Sequence, residues 1–507
     1  MYYKFLDSNG LKYRCLELFI VLATSLLYNY AFTYPIEIEY YSRHSLNESV
    51  QENQTIRPIK NSIEKRASGK LVNINDFGIY GDGVTEVSEE IQYLIDSLWM
   101  EGGGTIYIPK GIYILGKRKG PNKVLLIPRS NVSFLGDGPE SILKVAGGLG
   151  KFKVFYPPTN ESKYAIHNVS FKDFVVDCNG ENNIFIGKKN TNKNAAIGVR
   201  HGSSIYISNV EVKNNAGRQC IVIGNNEYPY TVKNVKIEGC KFFNVGRNVK
   251  GNNWQNDHSA VYLQADSAIL RNNTFTNPRY EDDATAMEIH SSNCIVSNNR
   301  VNYFATGLNV VASVTNMDNV NISNNEIGNV DRGVLFWVRA GRKMNNVVID
   351  SNIFTQIFPK SPIIDISVNV DSKISQLTIQ NNLFTNVTKN PKLVAPPGIV
   401  VGRVSSCKIY NNKFLDLLGP GIKFGKIGAD ILTIDISRNN FVNTNRSRVI
   451  NNNFVLDLRG SGISKSIRIQ HNIVENSLKE ITPIQKPTKG ANLILSQNLM
   501  NGISIRD

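Results

Sequence analysis

The octapeptide TAMEIHSS, residues 285–292, sets Glu288 and His290 two positions apart, with Met287 and Ile289 between and before them. In an extended strand alternate side chains leave opposite faces. A carboxylate and an imidazole therefore emerge together while the apolar pair turns the other way. Such a pairing suits proton transfer, because histidine titrates nearest neutrality and an adjacent carboxylate can orient it. Other reactive side chains cluster nearby in sequence. Asp257-His258 ends the long polar connection RNVKGNNWQNDHS (247–259), and NPRYEDDAT (277–285) carries Arg279, Tyr280, Glu281, Asp282 and Asp283. The same alternation sends outward Tyr262 and Gln264 of AVYLQA, Asn309 of GLNVVAS, Trp337 and Arg339 of GVLFWVRA, and Asp365 of PIIDISV.

Two reactions use such a set. In the first, a base chosen from His258, His290 and Arg339 removes a proton beside a carboxylate. Arg332 or Arg339 holds that carboxylate, and the neighbouring bond breaks by elimination. In the second, two carboxylates flank a bond and hydrolyse it, Glu288 working with Asp257, Asp282 or Asp283. Asp257, Asp282 and Asp283 are also hard oxygen donors of the kind calcium takes. Tyr262, Gln264, Arg332, Trp337, Arg339 and Asp365 form the expected substrate-binding set, with Tyr262, Tyr280 and Trp337 offering flat stacking faces. Plainer readings stand beside these. Asp282-Asp283 also fits a polar turn, Asp257-His258 a loop hydrogen-bonding pair, and an exposed charge on a strand is ordinary solvated surface.

The element that must position these groups is a repeat. LRNNTF (270–275), VSNNRV (296–301), ISNNEI (322–327), IDSNIF (349–354), IQNNLF (379–384), IYNNKF (409–414), ISRNNF (436–441), IQHNIV (469–474) and LSQNLM (495–500) share one pattern. An aliphatic residue is followed three positions later by Asn, and two further on by an apolar residue. The asparagines are Asn273, Asn299, Asn325, Asn352, Asn382, Asn412, Asn439, Asn472 and Asn498, spaced by 26, 26, 27, 30, 30, 27, 33 and 26. That period marks a solenoid. Asn tolerates the left-handed backbone of a sharp corner, and stacked amides can bond along the stack as a ladder. The sequon at Asn272 lies inside this pattern, where ladder duty is the expected role. SFKDFVV (170–176), YISNVEV (206–212) and KIEGCKF (236–242) keep the aliphatic frame without Asn, and Cys240 takes the ladder slot. A second apolar strand precedes each ladder segment, so each coil has three strands. The expected fold is all-β, a parallel β-helix. EVSEEIQYLIDSLWMEGGG (86–104) puts Ile91, Leu94, Ile95 and Leu98 on one helical face and fits a cover for the open end.

Composition sets the partner class. The formal charge of +15 suits an anionic polymer, and no basic stripe with interleaved aromatics argues for nucleic acid. Lys4, Lys12 and Arg14 precede an apolar run from Leu16 to Leu27, as in a secretory signal or an uncleaved anchor over residues 1–33. Residues 34–69 read as a linker and 70–507 as the β-helix. Membrane contact is expected only through the N-terminal segment. The cysteines lack metal-ligand spacing, and Cys240 and Cys294 fall at strand positions where an inert buried thiol is expected.

VNINDFGIYGDGVTEVSEEIQYLIDSLWMEGGGTIYIPKGIYIL (72–115) resembles the opening of the pectate-lyase-like superfamily, with its DFGAxGDG turn, helix and GGGTVYxPxGxY strand. The matching residues are Asp76-Phe77-Gly78, Gly81-Asp82-Gly83, Gly102 to Thr105, Pro109, Gly111 and Tyr113. With the repeats, the resemblance extends over roughly residues 70 to 507. It implies a right-handed parallel β-helix and a secreted enzyme acting on an acidic polysaccharide, with β-elimination ahead of hydrolysis of the polygalacturonase or rhamnogalacturonase kind. A non-catalytic glycan-binding or adhesion protein on the same scaffold is the alternative. The narrower signatures depart from the family. The R-x-x-P-x-x-R of calcium-dependent pectate lyases is absent, and GRQCIVIGNN (217–226) lacks the D-P-H of alginate epimerases.

Overall fold

The computed structural model describes residues 70–183, 194–217, 219–224, 228, 230–246, 258–357, 360–368, 371–387, 396–425, 433–446, 454–458, 466–476, 482–486 and 492–505. The 1–33 and 34–69 segments, Asp257 and most of the 247–259 connection lie outside them.

The chain is a right-handed parallel β-helix. One face of the coil stack is a sheet of 15 described strands whose neighbours pair in parallel, each advancing one coil along the chain. The other two faces form a second, 27-stranded network. Inward residues stack on their own kind. Phe354, Phe384, Phe414 and Phe441 lie ring over ring at 5.2, 4.7 and 4.7 Å. Neighbouring rungs lie about 4.8 Å apart, so identical side chains in register stack without voids. Helix α1 (Ser88–Met100) buries Ile91, Leu94, Ile95 and Leu98 against the first coils. Gly102 and Gly103 then turn the chain at φ of 95° and 126°. The motif glycines have a steric cause. A Cβ on Gly81 would lie 2.6 Å from the Gly111 Cα, so the GDG turn and the PxGxY strand touch backbone to backbone.

The asparagines form the expected ladder. Asn352 Oδ1 accepts from both the backbone N–H and Nδ2 of Asn325, each at 2.9 Å. Asn352 Nδ2 donates to Ile322 O and to Asn382 Oδ1, also at 2.9 Å. The arrangement repeats from Asn273 to Asn498. Cys240 opens it, its N–H bonding Asn273 Oδ1 at 2.9 Å.

The left-handed role falls elsewhere than expected. Positive φ belongs to the residue before each ladder Asn: Asn272, Asn298, Asn324, Ser351, Asn381, Asn411, Arg438, His471 and Gln497. The ladder amide must point into the stack, where it is buried, and the corner bends one residue earlier. Asn272 is thus a corner residue, not a rung of the ladder. Cys178, Cys220, Cys240, Cys294 and Cys407 are free and buried, as expected of core thiols.

Candidate active site

One outer face carries the strands β1 (Gln219–Ile223), β2 (His258–Leu263), β3 (Thr274–Ile289), β4 (Arg300–Ala312), β5 (Arg332–Val338), β6 (Ile364–Val368), β7 (Ile399–Val401), β8 (Ile422–Phe424) and β9 (Phe454–Asp457). Each pairs in parallel with the next, β3 and β4 through their later halves. The segment 277–285, where Asp282-Asp283 also fitted a polar turn, is instead part of β3. Its register against β4 shifts between Thr276, Glu281 and Thr285. Extra residues enter the strand as bulges there, and bulges re-aim side chains without breaking the strand.

Strand pairing sets the outward groups in two columns. Tyr262, Glu288, Asn309, Leu335 and Asp365 are successive partners, and Lys423 and Asp457 continue the line after Val400. The second column runs through His290, Val311 and Trp337, since Ile289 pairs Val310 and Val311 pairs Trp337. The outward residues therefore form two neighbouring files, with Arg339 just past the end of β5.

Glu288 and His290 do meet. His290 Nε2 lies 2.8 Å from Glu288 Oε1, and Glu288 Oε2 accepts from Ser259 Oγ at 2.9 Å. Ser313 Oγ lies 3.2 Å from His290 Nδ1. A carboxylate only accepts, so Nε2 carries a hydrogen, and Nδ1 faces the Ser313 hydroxyl. The Tyr262 ring lies 4.7 Å from the imidazole and covers one side of it. His290 is 6% exposed and Glu288 is half-buried, so the pair is largely shielded from solvent. Ser259 and Ser313 were not singled out from sequence. Following the alternation of GLNVVAS one step past Val311 would have placed Ser313 on the outer face.

Tyr262 and Gln264 do not form an open sugar-binding surface. They leave the coil as expected, but Tyr262 is 7% exposed and Gln264 is fully buried. A second apolar cluster lies outside the coil: Val124, Tyr156, Ala195, Val222 and Tyr262. Tyr156 lies so close over Gly198 that a Cβ there would fall 2.0 Å from the ring. Gln264 Nε2 donates to Tyr228 O at 3.2 Å, and its Oε1 accepts from Tyr262 OH at 3.4 Å. Chain segments distant in sequence close over both residues.

Arg332 is engaged within the protein. Its Nη2 donates to Ser361 Oγ at 3.1 Å and lies 3.6 Å from Asp365 Oδ2. Asp331 fixes the same turn, accepting from the N–H groups of Lys360 and Ser361 at 2.8 Å each. Trp337, at 41% exposed, and Arg339 are open to solvent as expected. Three rungs separate Glu288 from Asp365, roughly 14 Å along the stack. Paired hydrolytic carboxylates stand only about 5 to 9.5 Å apart, so these two are not such a pair. The side chains of His258, Asp282 and Asp283 lie outside the described set. Among the described residues no three metal-ligating side chains converge.

A continuous stack of parallel coils, with an outward acid–imidazole pair at mid-length, defines the chain as a parallel β-helix. Residues 71–180 match the family described as "Rhamnogalacturonase A/epimerase, pectate lyase-like". That match covers the first coils and ends before the Glu288 coil. Among curated proteins, the chain is 39% identical over 77 residues to mannuronan C5-epimerase AlgE2 of Azotobacter vinelandii. It is 34% identical over 112 residues to alginate lyase 7 of the same organism. These matches take in 15% and 22% of this chain, and only 8% and 13% of the relatives. Among solved structures, the tailspike protein of E. coli bacteriophage HK620 in complex with pentasaccharide aligns over 85% of this chain and 78% of its own. The TM-score is 0.64 at 18% identity, a likeness of fold.

Proposed function

We propose that the chain is an exported enzyme that acts on an acidic polysaccharide by removing the proton beside a uronate carboxylate. The observation that carries this reading is the shielded Glu288–His290 pair on the outer face of the central coils. Glu288 orients the imidazole and leaves Nδ1 as the base. Arg339, exposed beyond β5, meets the substrate carboxylate, and Trp337 stacks a sugar ring. Eliminative cleavage and C5 epimerisation both begin with this proton transfer. The short matches to an alginate lyase and to mannuronan epimerases support a uronate substrate. Hydrolysis would need Glu288 to work with Asp257, Asp282 or Asp283, and Asp257 and the side chains of Asp282 and Asp283 lie outside the described set.

The second reading is a glycan-binding β-helix without catalysis. It is favoured by one observation: both Glu288 carboxylate oxygens are already bonded within the protein. One experiment separates the readings. The purified protein is incubated with polymannuronate, polyguluronate and polygalacturonate. Ultraviolet absorbance of unsaturated ends reports elimination, and proton NMR reports inversion at C5. New reducing ends without absorbance overturn the proposal in favour of hydrolysis, and binding with no chemical change overturns it in favour of the second reading.

A further inference from the structure

We propose that Ser313, His290 and Glu288 form a nucleophilic triad that hydrolyses acyl esters on carbohydrate hydroxyls. The proposal goes beyond proton abstraction from a uronate and does not depend on it. Three groups are joined in sequence: Ser313 Oγ to His290 Nδ1 at 3.2 Å, and His290 Nε2 to Glu288 Oε1 at 2.8 Å. This is the order nucleophile, base, orienting carboxylate that activates a serine. The imidazole presents Nδ1 to the serine and Nε2 to the acid. That choice is chemically sound, since either ring nitrogen takes a proton when the other is held as N–H by a carboxylate.

The base and its acid are shielded while the nucleophile reaches solvent. His290 is buried, Glu288 is half-buried, and Ser313 is partly open to solvent. Ser259 donates to the second Glu288 oxygen, which fixes the carboxylate against rotation. Tyr262 covers the imidazole face and restricts its ring. Ser313 follows Ala312, whose carbonyl accepts the Arg339 N–H at 2.9 Å, so a solvent-exposed guanidinium stands one rung away. It supplies positive charge near the oxyanion that forms on the acyl group.

The steps balance without a cofactor. Ser313 Oγ bonds to the ester carbonyl carbon while its proton passes to His290 Nδ1. The intermediate collapses, the ester C–O bond breaks, and the sugar oxygen leaves with that proton. Water then attacks the acyl-serine by the same route, giving a carboxylic acid and free Ser313. The net reaction is ester plus water to acid plus alcohol. The small acyl group, acetyl above all, is the class that reaches a serine beside a shielded imidazole.

A fluorophosphonate probe tests this on the unmodified protein, because it reacts only with activated serines. Peptide mass spectrometry should find a single adduct on Ser313. p-Nitrophenyl acetate hydrolysis should fall to the buffer rate in Ser313→Ala and in His290→Ala. Circular dichroism checks that both variants keep the fold. Absence of an adduct on Ser313, or an unchanged rate in folded Ser313→Ala, overturns the triad. Neither result bears on uronate elimination, which the absorbance assay reads separately.

Discussion

Replacing Asn352 by Ala should cost the protein roughly 4 kcal/mol, and the figure follows from counting stranded groups. Asn352 Oδ1 is the acceptor for the backbone N–H and for Nδ2 of Asn325. Asn352 Nδ2 also satisfies Ile322 O. The substitution leaves two donors and a carbonyl without partners in a buried stack, while Asn382 Oδ1 keeps the Asn352 backbone N–H. A buried group left unpaired costs about 1–3 kcal/mol, which brackets a total of about 3–9 kcal/mol before water enters the gap, with the low end favoured once it does. The assay is urea unfolding followed by far-ultraviolet circular dichroism, with wild type and variant side by side. A midpoint shift equivalent to less than about 1 kcal/mol, with an unchanged slope, would refute the claim that the ladder amides hold the coils.

Further outcomes are expected. Arg438→Gly should be neutral or stabilising by about 1 kcal/mol in the same assay, because Arg438 holds a φ of 55° that only glycine adopts freely. Glu238 is partly buried, which raises its pKa, but bonds from Lys236, Tyr206 and Arg271 outweigh this and hold the carboxyl down to about 2. Its folded value lies below the ordinary 4.5, so its stabilisation is present above that pH and is lost as pH falls toward 2. Thermal melts between those limits should be less pH-dependent in Glu238→Gln. Trp337→Ala should weaken binding of an acidic oligosaccharide about tenfold by titration calorimetry, with the melting temperature unchanged. Burial pushes the thiols of Cys220, Cys240, Cys294 and Cys407 up to about 12, and a thiol reagent should label them only after unfolding.

The ladder was legible because one residue type recurs at coil spacing between inward aliphatics. The corner was not, because Asn-Asn pairs such as 272–273 hide which member bends; Ser351, Arg438 and His471 show that the bend asks for no amide. The Glu288–His290 pair was legible from strand alternation alone, with Met287 and Ile289 buried behind it. The cover over Tyr262 and Gln264 was not, since it comes from Tyr156 and Tyr228 on other coils. Alternation separates a strand's two sides; it carries no information about what later packs on the outer one. Arg332 shows the same gap. Its charge and position suggested an anion site, but a turn around Ser361 brings it a partner of its own.

The ladder amides all point one way. From Asn273 to Asn472 each Nδ2 bonds forward to the Oδ1 of the following coil, and from Asn299 to Asn498 each Oδ1 accepts from the coil before. Reversing one amide would set oxygen against carbonyl oxygen and nitrogen against N–H. A half-wound stack therefore presents two parallel donors at its growing end, a backbone N–H and a side-chain N–H, and only an oxygen held at ladder position can meet both. The stack is therefore polar along its axis, offering donors toward its C-terminal coils and an acceptor oxygen toward its N-terminal ones.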